Sequence, residues 1–261
     1  MLEKSTTPRK PLLLKLRHFA KTIPGARELY MNVRSTFVPT YREDGLATVH
    51  NCDFIREPQF KASYDAALEM DSANQMRWRS HVAQWCGFQA SLLDGNFVEC
   101  GVNRAFLSTA VIHSLNFETF ENRKKFYLID TFAGLVVEQI DEEDTAAHYN
   151  DYPDIYEFVR NAFGNYSNVD VVRGAVPDVL QEIETGPVAY LSIDMNCVMP
   201  ERAALEFFWP KMVTGGVVLL DDYGWRGHEA QKHSFDEFAA QVGAKILCLP
   251  TGQGLMIKHA A

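Results

Sequence analysis

Residues 188–196 read VAYLSIDMN and residues 215–223 read GGVVLLDDY, two short apolar runs that each end at carboxylates. Continuous apolar runs of this length are typical of strands buried in a parallel sheet. The carboxyl ends of such strands meet at one edge of the sheet, where open α/β sheets bind their ligands. The two runs therefore predict that Asp194, Asp221 and Asp222 converge at a ligand-binding edge.

Strand patterns and helix patterns alternate along the chain from residue 94 onward, which predicts an α/β domain with a parallel sheet and right-handed crossovers. The chain closes with two strand patterns joined by Thr251-Gly252-Gln253-Gly254, a hairpin that inserts the last strand antiparallel. Five parallel strands closed by a hairpin favour a seven-stranded sheet over a nicotinamide-binding Rossmann domain. The predicted strands cover residues 97–101, 125–130, 169–174, 188–194, 216–220, 245–250 and 255–258. Helices are predicted at 105–115, through Val179, Leu180 and Ile183, from Pro200, and at 228–242.

The first 93 residues lack this alternation and are predicted to form a mainly helical N-terminal region before the domain at 94–261. Apolar residues at helical spacing between residues 60 and 93 indicate a helical cap. The first 34 residues carry eight Lys and Arg against two Glu. Two interpretations of residues 8–22 stay open: an amphipathic helix at a membrane surface, or a helix that packs on the domain or on the second subunit of a homodimer.

The composition excludes several classes of protein. The hydrophobic fraction is 47%, the charged fraction is 23% and the net charge is −9, so a globular protein that does not bind nucleic acid is expected. The five cysteines form no C-x-x-C pair, which favours free thiols in a reducing cytoplasm. No apolar stretch is long enough to span a bilayer, so we predict a cytoplasmic protein without a transmembrane segment.

The ends of the first three predicted strands indicate the nucleotide half of the site. Gly101 follows the first strand, where a glycine lets the backbone approach a ligand and the next helix offers free N–H groups. The full G-x-G-x-x-G pattern is absent, because Asn103 and Ala105 stand at the later positions. Asp130, at the end of the second strand, either accepts hydrogen bonds from ribose hydroxyls or caps a turn.

The three acids at the ends of the fourth and fifth strands supply oxygen ligands only. Such ligands suit Mg²⁺, Mn²⁺ or Ca²⁺, and a few carboxylates completed by water and substrate oxygens form the open arrangement that Mg²⁺ prefers. Because neighbouring residues of a strand point to opposite faces, Asp221 and Asp222 share an ion only if the chain turns between them. The alternative is that these acids cap helices or face solvent.

Five motifs resemble the macrocin O-methyltransferase family: FVECGV at 97–102, FYLIDTFAGL at 126–135, VVRGAVPDVL at 171–180, LSIDMN at 191–196 and GGVVLLDDYGW at 215–225. The resemblance implies a class I methyltransferase fold and an O-methyltransferase that depends on S-adenosylmethionine and on Mg²⁺ or Mn²⁺. It implies as acceptor a hydroxyl of a sugar or glycosylated metabolite. The metal ligands would be Asp194, Asp221 and Asp222. The chain departs from the family at Ala105, where a second glycine is usual, and after Asp194.

The predicted catalytic residues are Asp194 and His228, each a candidate base for the acceptor hydroxyl, with His233 as a further candidate. An acidic connection over residues 135–150 is either a lid over the site or a solvated loop. Rival functions are a catechol-type O-methyltransferase, a non-catalytic nucleoside-binding scaffold and a nicotinamide-dependent oxidoreductase. The predicted cofactor-binding residues are Glu99, Gly101, Val102, Asn103, Asp130, Thr131, Phe132, Gly174, Ala175 and Asp194.

Overall fold

The computed structural model describes residues 24–140 and 153–260. The chain divides into two compact units between Asp53 and Phe54. The helices between residues 58 and 91, which the sequence analysis assigned to the N-terminal region, lie in the second unit. Most of the acidic connection predicted as a lid or loop lies outside the described residues.

The described part of the first unit consists of one helix and one hairpin. Helix α1 spans Ala26–Phe37, and strands β1 (Tyr41–Glu43) and β2 (Leu46–Thr48) pair antiparallel. Tyr41 and Thr48 are buried, whereas no residue of α1 is. Leu29 and Phe37 of α1 are instead among the exposed apolar residues. The apolar side chains of α1 therefore contribute no buried core to this unit.

A seven-stranded sheet organises the described part of the second unit, with the strand order β5-β4-β3-β6-β7-β9-β8. The first five strands in this order pair parallel, and the hairpin of β8 and β9 adds antiparallel to β7. This confirms the predicted sheet and its antiparallel last strand. The strands are β3 (Asn96–Cys100), β4 (Phe126–Asp130), β5 (Val169–Arg173), β6 (Val188–Ile193), β7 (Met212–Leu220), β8 (Leu247–Cys248) and β9 (Gly254–Ile257).

Helices cover both faces of the sheet. Helix α3 packs on α4 and against β6 and β7 on one face. On the other face α6 and α7 pack over alternate strand residues such as Val98, Leu191 and Val218. Within the described ranges no helix is long and apolar enough to cross a membrane. The helices of this unit are α2 (Pro58–Met70), α3 (Arg77–Ser91), α4 (Phe106–Leu115), α5 (Tyr156–Ala162), α6 (Val198–Phe208) and α7 (Glu229–Gln241).

Large aromatic rings fill the sheet face beneath α4. The rings of Phe97 and Tyr190 stack with centroids 5.2 Å apart, and Phe117 lies 5.2 Å from Phe97. Phe97 and Tyr190 sit opposite each other on the neighbouring strands β3 and β6. Because side chains alternate between the two faces of a strand, the next inward-facing pair is Glu99 and Ser192. Polar groups thus replace aromatic ones toward the carboxyl edge.

Two predicted elements differ from the observed ones. The segment after β5 forms a short 3₁₀ helix, Asp178–Glu182, and Ile183 is already extended. Strand β7 begins at Met212, before the Gly215-Gly216 turn from which the sequence pattern started it. The pairing of β7 with β6 shifts register in this stretch. A register shift allows the two glycines to lie inside a longer, irregular strand.

Candidate active site

A cavity of about 770 Å³, counted with its mouth, opens at the carboxyl ends of β3, β4, β5 and β6. This volume includes open solvent at the mouth, and the cavity lies at the edge where open α/β sheets bind their ligands. Most of the predicted cofactor-binding residues line this cavity: Gly101, Asn103, Asp130, Thr131, Phe132, Gly174, Ala175 and Asp194. Two other predicted residues, Glu99 and Val102, do not line the cavity.

Gly101 brings the ends of β3 and β6 into direct contact. Its φ is +86°, and a Cβ at this position would lie 1.7 Å from the carbonyl oxygen of Asp194. The amide of Asp194 also donates to the carbonyl of Cys100 at 2.8 Å. A residue without a side chain is therefore required here, and it leaves the backbone open toward the cavity.

Asp130 joins the two turns that form the cavity wall. Its Oδ2 accepts hydrogen bonds from the backbone amides of Val102 at 2.6 Å and Asn103 at 2.8 Å. Its Oδ1 accepts from the amide of Phe132 at 2.7 Å, and the Thr131 hydroxyl lies 3.2 Å from the same oxygen. A carboxylate offers about four acceptor positions, and three backbone amides occupy three of them. Capping the turns is the role that these contacts define.

The turn after β4 holds an aromatic ring under the cavity. Phe132 has a φ of +54° and is 1% exposed. The Thr131 hydroxyl donates to the carbonyl of Gly134 at 2.6 Å, and the amide of Ile155 donates to the carbonyl of Phe132 at 2.9 Å. The left-handed conformation of a bulky residue is uncommon and costly, so the Asp130 and Thr131 side chains that hold the turn are needed to maintain it.

Glu99 lies beneath the site. It is 3% exposed, and its Oε2 accepts a hydrogen bond from the Ser108 hydroxyl of α4 at 2.5 Å. Burial raises the pKa of Glu99 to about 8; the Ser108 hydrogen bond acts against this shift, and the charges of Asp221 and Asp130 add to it. At neutral pH the Glu99 carboxyl group is therefore mainly protonated and lies within the core.

The chain turns directly after β7. Such a turn is the condition under which Asp221 and Asp222 could share an ion. The strand ends at Leu220, and the amide of Trp225 donates to the carbonyl of Asp222 at 3.0 Å. Both carboxylates contact a single nitrogen, Nη2 of Arg79 on α3. This nitrogen also donates to the carbonyl oxygen of Asp221 at 3.2 Å. A guanidinium group therefore lies among the oxygens predicted to bind a metal.

Asp221 is held from a second side by the loop between β8 and β9. Gln253, which is fully buried, donates from Nε2 to Asp221 Oδ1 at 2.8 Å. Its own Oε1 accepts from the Thr251 hydroxyl at 3.0 Å. Each oxygen of the Asp221 carboxylate thus has a protein donor, Arg79 at Oδ2 and Gln253 at Oδ1. A charge-assisted hydrogen bond at each oxygen fixes the orientation of a buried carboxylate.

Asp194 faces the cavity at the end of β6. Burial raises its pKa well above the usual value, the negative charges of Asp221 and Asp222 add to this effect, and Arg79 opposes it. The Asn196 amide lies 3.5 Å from Asp194 Oδ1. The three predicted acids are thus close enough to influence one another. Across residues 24–140 and 153–260, however, no three His, Cys, Asp or Glu side chains form a group able to hold a metal ion.

The two histidines proposed as bases occupy different environments. His228 immediately precedes α7, and its Nδ1 lies 3.8 Å from Asp222 Oδ2 and 3.2 Å from Gln231 Nε2. Its side chain is largely buried at 14% exposure. His233 lies on the outer side of α7, where its side chain is 78% exposed and pairs with Glu237 at 3.3 Å. The structure therefore brings His228, and not His233, to the acid cluster.

The sequence did not predict a role for three residues at this edge of the sheet. Arg79 and Gln253 bind the acid cluster, and Gln139 lines the cavity while its Nε2 donates to the carbonyl of Val176 at 2.7 Å. Gln139 belongs to the segment predicted as a lid or a loop, and its short 3₁₀ helix spans Val137–Gln139. No sequence signal distinguishes these residues, because each depends on a partner distant in the chain.

A cavity beside an acidic edge of a seven-stranded sheet, with five parallel strands and an antiparallel hairpin, is typical of an α/β methyltransferase. The sequence profile of the macrocin-O-methyltransferase (TylF) family matches residues 70–245. The chain belongs to this family and is an O-methyltransferase with S-adenosylmethionine as its methyl donor. No curated protein matches the chain significantly.

Solved structures share the fold at low sequence identity. The O-methyltransferase NovP has a TM-score of 0.60 and 18% identity, over 95% of this chain and 99% of NovP. The calicheamicin methyltransferase CalS11 has a TM-score of 0.55 and 18% identity, over 98% of this chain and 99% of CalS11. An apo structure of CalS11, described as TDP-rhamnose 3'-O-methyltransferase, gives a TM-score of 0.50 and 16% identity. At this identity the likeness establishes the fold alone.

Proposed function

We propose that the protein transfers the methyl group of S-adenosylmethionine to a hydroxyl of a sugar or a glycosylated metabolite. The observation that supports this proposal is the position of Asp194, which lines the cavity and interacts electrostatically with Asp221 and Asp222. A donor in the cavity and an acceptor over the acids would meet at this residue. The names of NovP and CalS11, an O-methyltransferase and a sugar methyltransferase, support the acceptor class.

Within this proposal the chain binds the donor through backbone and small residues at the strand ends. Gly101, Gly174 and Ala175 line the cavity and leave room for a ligand close to the backbone. Asp130 acts by holding the amides of Val102 and Asn103 in their turn. Since in-line transfer depends on alignment of donor and acceptor, rigid turns at this edge contribute directly to the rate.

The acceptor hydroxyl needs a base, and we assign this role to His228. Its Nδ1 is close to both Gln231 and Asp222. Gln231 Nε2 lies 3.2 Å from Nδ1. When the amide donates to Nδ1, the ring proton lies on Nε2, and Nδ1 is then the atom that accepts the proton of the acceptor hydroxyl once Gln231 gives way. A carboxylate next to an imidazole stabilises the imidazolium that forms when the ring accepts a proton. Asp194 remains the second predicted base, and it lies nearer to the cavity.

A divalent cation, Mg²⁺ or Mn²⁺, is part of the proposal. The donor set fits in type, because Asp194, Asp221 and Asp222 offer only hard oxygen atoms from adjoining strand ends. Arg79 contacts two of these three carboxylates, those of Asp221 and Asp222. When bound, the cation would lower the pKa of an acceptor hydroxyl. The residues that hold it would be the three acids.

Release of S-adenosylhomocysteine measures the proposed activity. The enzyme is incubated with S-adenosylmethionine, Mg²⁺ and two panels of acceptors: nucleotide sugars and glycosides with vicinal hydroxyls, and catechols. We expect turnover with the first panel and its loss in Asp194→Asn, while Asp65→Asn, an exposed residue paired with Lys61, retains it. Turnover of catechols alone would replace the sugar with a catechol-type acceptor. The predicted homodimer and cytoplasmic location are separate proposals that this assay leaves aside.

A further inference from the structure

The side chain of Arg79 occupies the space between Asp221 and Asp222 in which the proposed cation would lie. Nη2 of Arg79 contacts Asp221 Oδ2, Asp222 Oδ1 at 3.0 Å and the Asp221 carbonyl oxygen at 3.2 Å. Three oxygens of two consecutive residues thus surround one nitrogen. Oxygens that converge from one turn of chain on a single positive centre are the environment that a hard cation also requires.

Arg79 is built into this position. Its side chain is 10% exposed, the residue lies in the first turn of α3, and its guanidinium lies 5.5 Å from the ring centroid of Trp225. Trp225 is fixed in turn by the Asp222 carbonyl, which accepts its amide hydrogen bond. A planar guanidinium held by carboxylates and an aromatic face is in a favourable environment. Arg79 is therefore stabilised beside the two carboxylates from more than one side.

We infer that Arg79 and a divalent cation exclude each other at Asp221 and Asp222, so that Arg79 sets the metal affinity of the site. An ion bonded to both Asp221 Oδ2 and Asp222 Oδ1 has to occupy the space of Nη2, and the two positive charges repel each other. Metal binding then requires the guanidinium to leave its place beside Trp225. Arg79 is a positioning residue that acts through the carboxylates and not on the substrate.

The inference deepens the metal part of the proposed function and rests on it, so the test must not depend on methyl transfer. Binding of Mn²⁺ to the full-length protein is measured by electron paramagnetic resonance, without donor or acceptor. The variants are Arg79→Met, which keeps the length of the stem and removes the charge, and Arg77→Met as matched control. Arg77 lies on the same helix and stacks over Tyr64, 5.2 Å from its ring centroid.

We expect Arg79→Met to bind Mn²⁺ at least about tenfold more tightly than the wild type, because a repelling charge in contact with the ligands is gone. Arg77→Met should bind as the wild type does, and Asp222→Asn added to Arg79→Met should abolish the gain. A purely structural role for Arg79 would not raise the affinity for a metal. Equal or weaker Mn²⁺ binding by Arg79→Met, or no binding by either protein, overturns the inference.

The wild type provides a second test if Arg79→Met folds poorly. Movement of the guanidinium away from Trp225 changes the indole environment, so Mg²⁺ should alter tryptophan emission in a saturable way, and Trp225→Phe should remove that change. Metal binding that leaves the Trp225 emission unchanged overturns the inference. Binding of S-adenosylhomocysteine is measured on the same samples. Loss of this binding would count against the proposed function. Normal binding of S-adenosylhomocysteine, together with an Mn²⁺ affinity that Arg79→Met leaves unchanged, would count only against the exclusion of the cation by Arg79.

Discussion

Ser108 donates a hydrogen bond to Glu99 inside the core, with 2.5 Å between Oγ and Oε2. The contact joins α4 to β3, directly below the turn that carries Gly101. Burial raises the pKa of Glu99 to about 8, and this effect outweighs the opposing hydrogen bond from Ser108. A buried acid that keeps its proton at neutral pH makes the stability of the fold depend on pH.

Glu99→Gln should remove this dependence. Between the usual pKa of 4.5 and the folded value of about 8, the folded state keeps a proton that the unfolded state releases. The free energy of unfolding therefore falls as pH rises through this window, with a slope approaching ~1.4 kcal/mol per pH unit. Urea unfolding at pH 5, 6, 7 and 8 should show Glu99→Gln gaining stability relative to the wild type as pH rises. Parallel profiles of the two proteins, with Glu69→Gln as an exposed control, would refute the buried, protonated state.

Gly101→Ala should destabilise the protein by about 3 kcal/mol or prevent folding, since strain and a backbone clash coincide there. A Cβ would lie 1.7 Å from the Asp194 carbonyl oxygen, and the φ is +86°. Gly243→Ala is the matched control: it has a φ of +67° and no neighbour within 4 Å. The control isolates the cost of a left-handed conformation, about 1 kcal/mol. Thermal unfolding compares the two, and equal losses would contradict the close contact of β3 with β6.

Asp130→Asn should weaken binding of S-adenosylhomocysteine by at least about tenfold. An amide keeps one acceptor oxygen and turns a donor toward backbone amides, so it cannot satisfy all three backbone amides that Asp130 now accepts from. Calorimetric titration measures the affinity. Asp170→Asn, which removes only a surface ion pair with Lys125, should bind normally. Normal binding by Asp130→Asn would show that the turns form without the carboxylate.

His228→Ala should lower kcat by about 100-fold, in the range of a lost general base. The affinity for S-adenosylhomocysteine should stay unchanged, because His228 does not line the cavity. His233→Ala should retain full activity, since the side chain of His233 lies 78% exposed on α7. An unchanged kcat in His228→Ala would transfer the role of base to Asp194.

The strand ends were predictable because apolar runs that stop at Gly or Asp carry their own signal. Asp130, Asp194 and the Asp221-Asp222 pair all lie at the expected edge. The sequence offered two roles for Asp130, and its three hydrogen bonds from backbone amides define the turn cap. Contact with ribose stays a prediction, because no observation tests it.

The partners of the acids were not predictable. Arg79 and Asp221 are separated by 142 positions, and nothing in the helical pattern distinguishes Arg79 from Arg77. The spacing of Trp85 and Phe88 correctly indicates a helix, yet both side chains are exposed, at 46% and 52%. Periodicity reports the presence of a helix, whereas the choice of a buried face depends on packing against distant segments.

Calorimetric titration of S-adenosylhomocysteine into the wild type, Ala175→Trp and Ala62→Trp tests the donor cavity most directly. Ala175 lines the cavity, and Ala62 is exposed on α2. We predict one bound molecule per chain in the wild type and in Ala62→Trp, and at least about tenfold weaker binding in Ala175→Trp, whose indole fills the cavity. No binding by the wild type, or equal binding by all three proteins, would contradict the assignment of this cavity to the methyl donor.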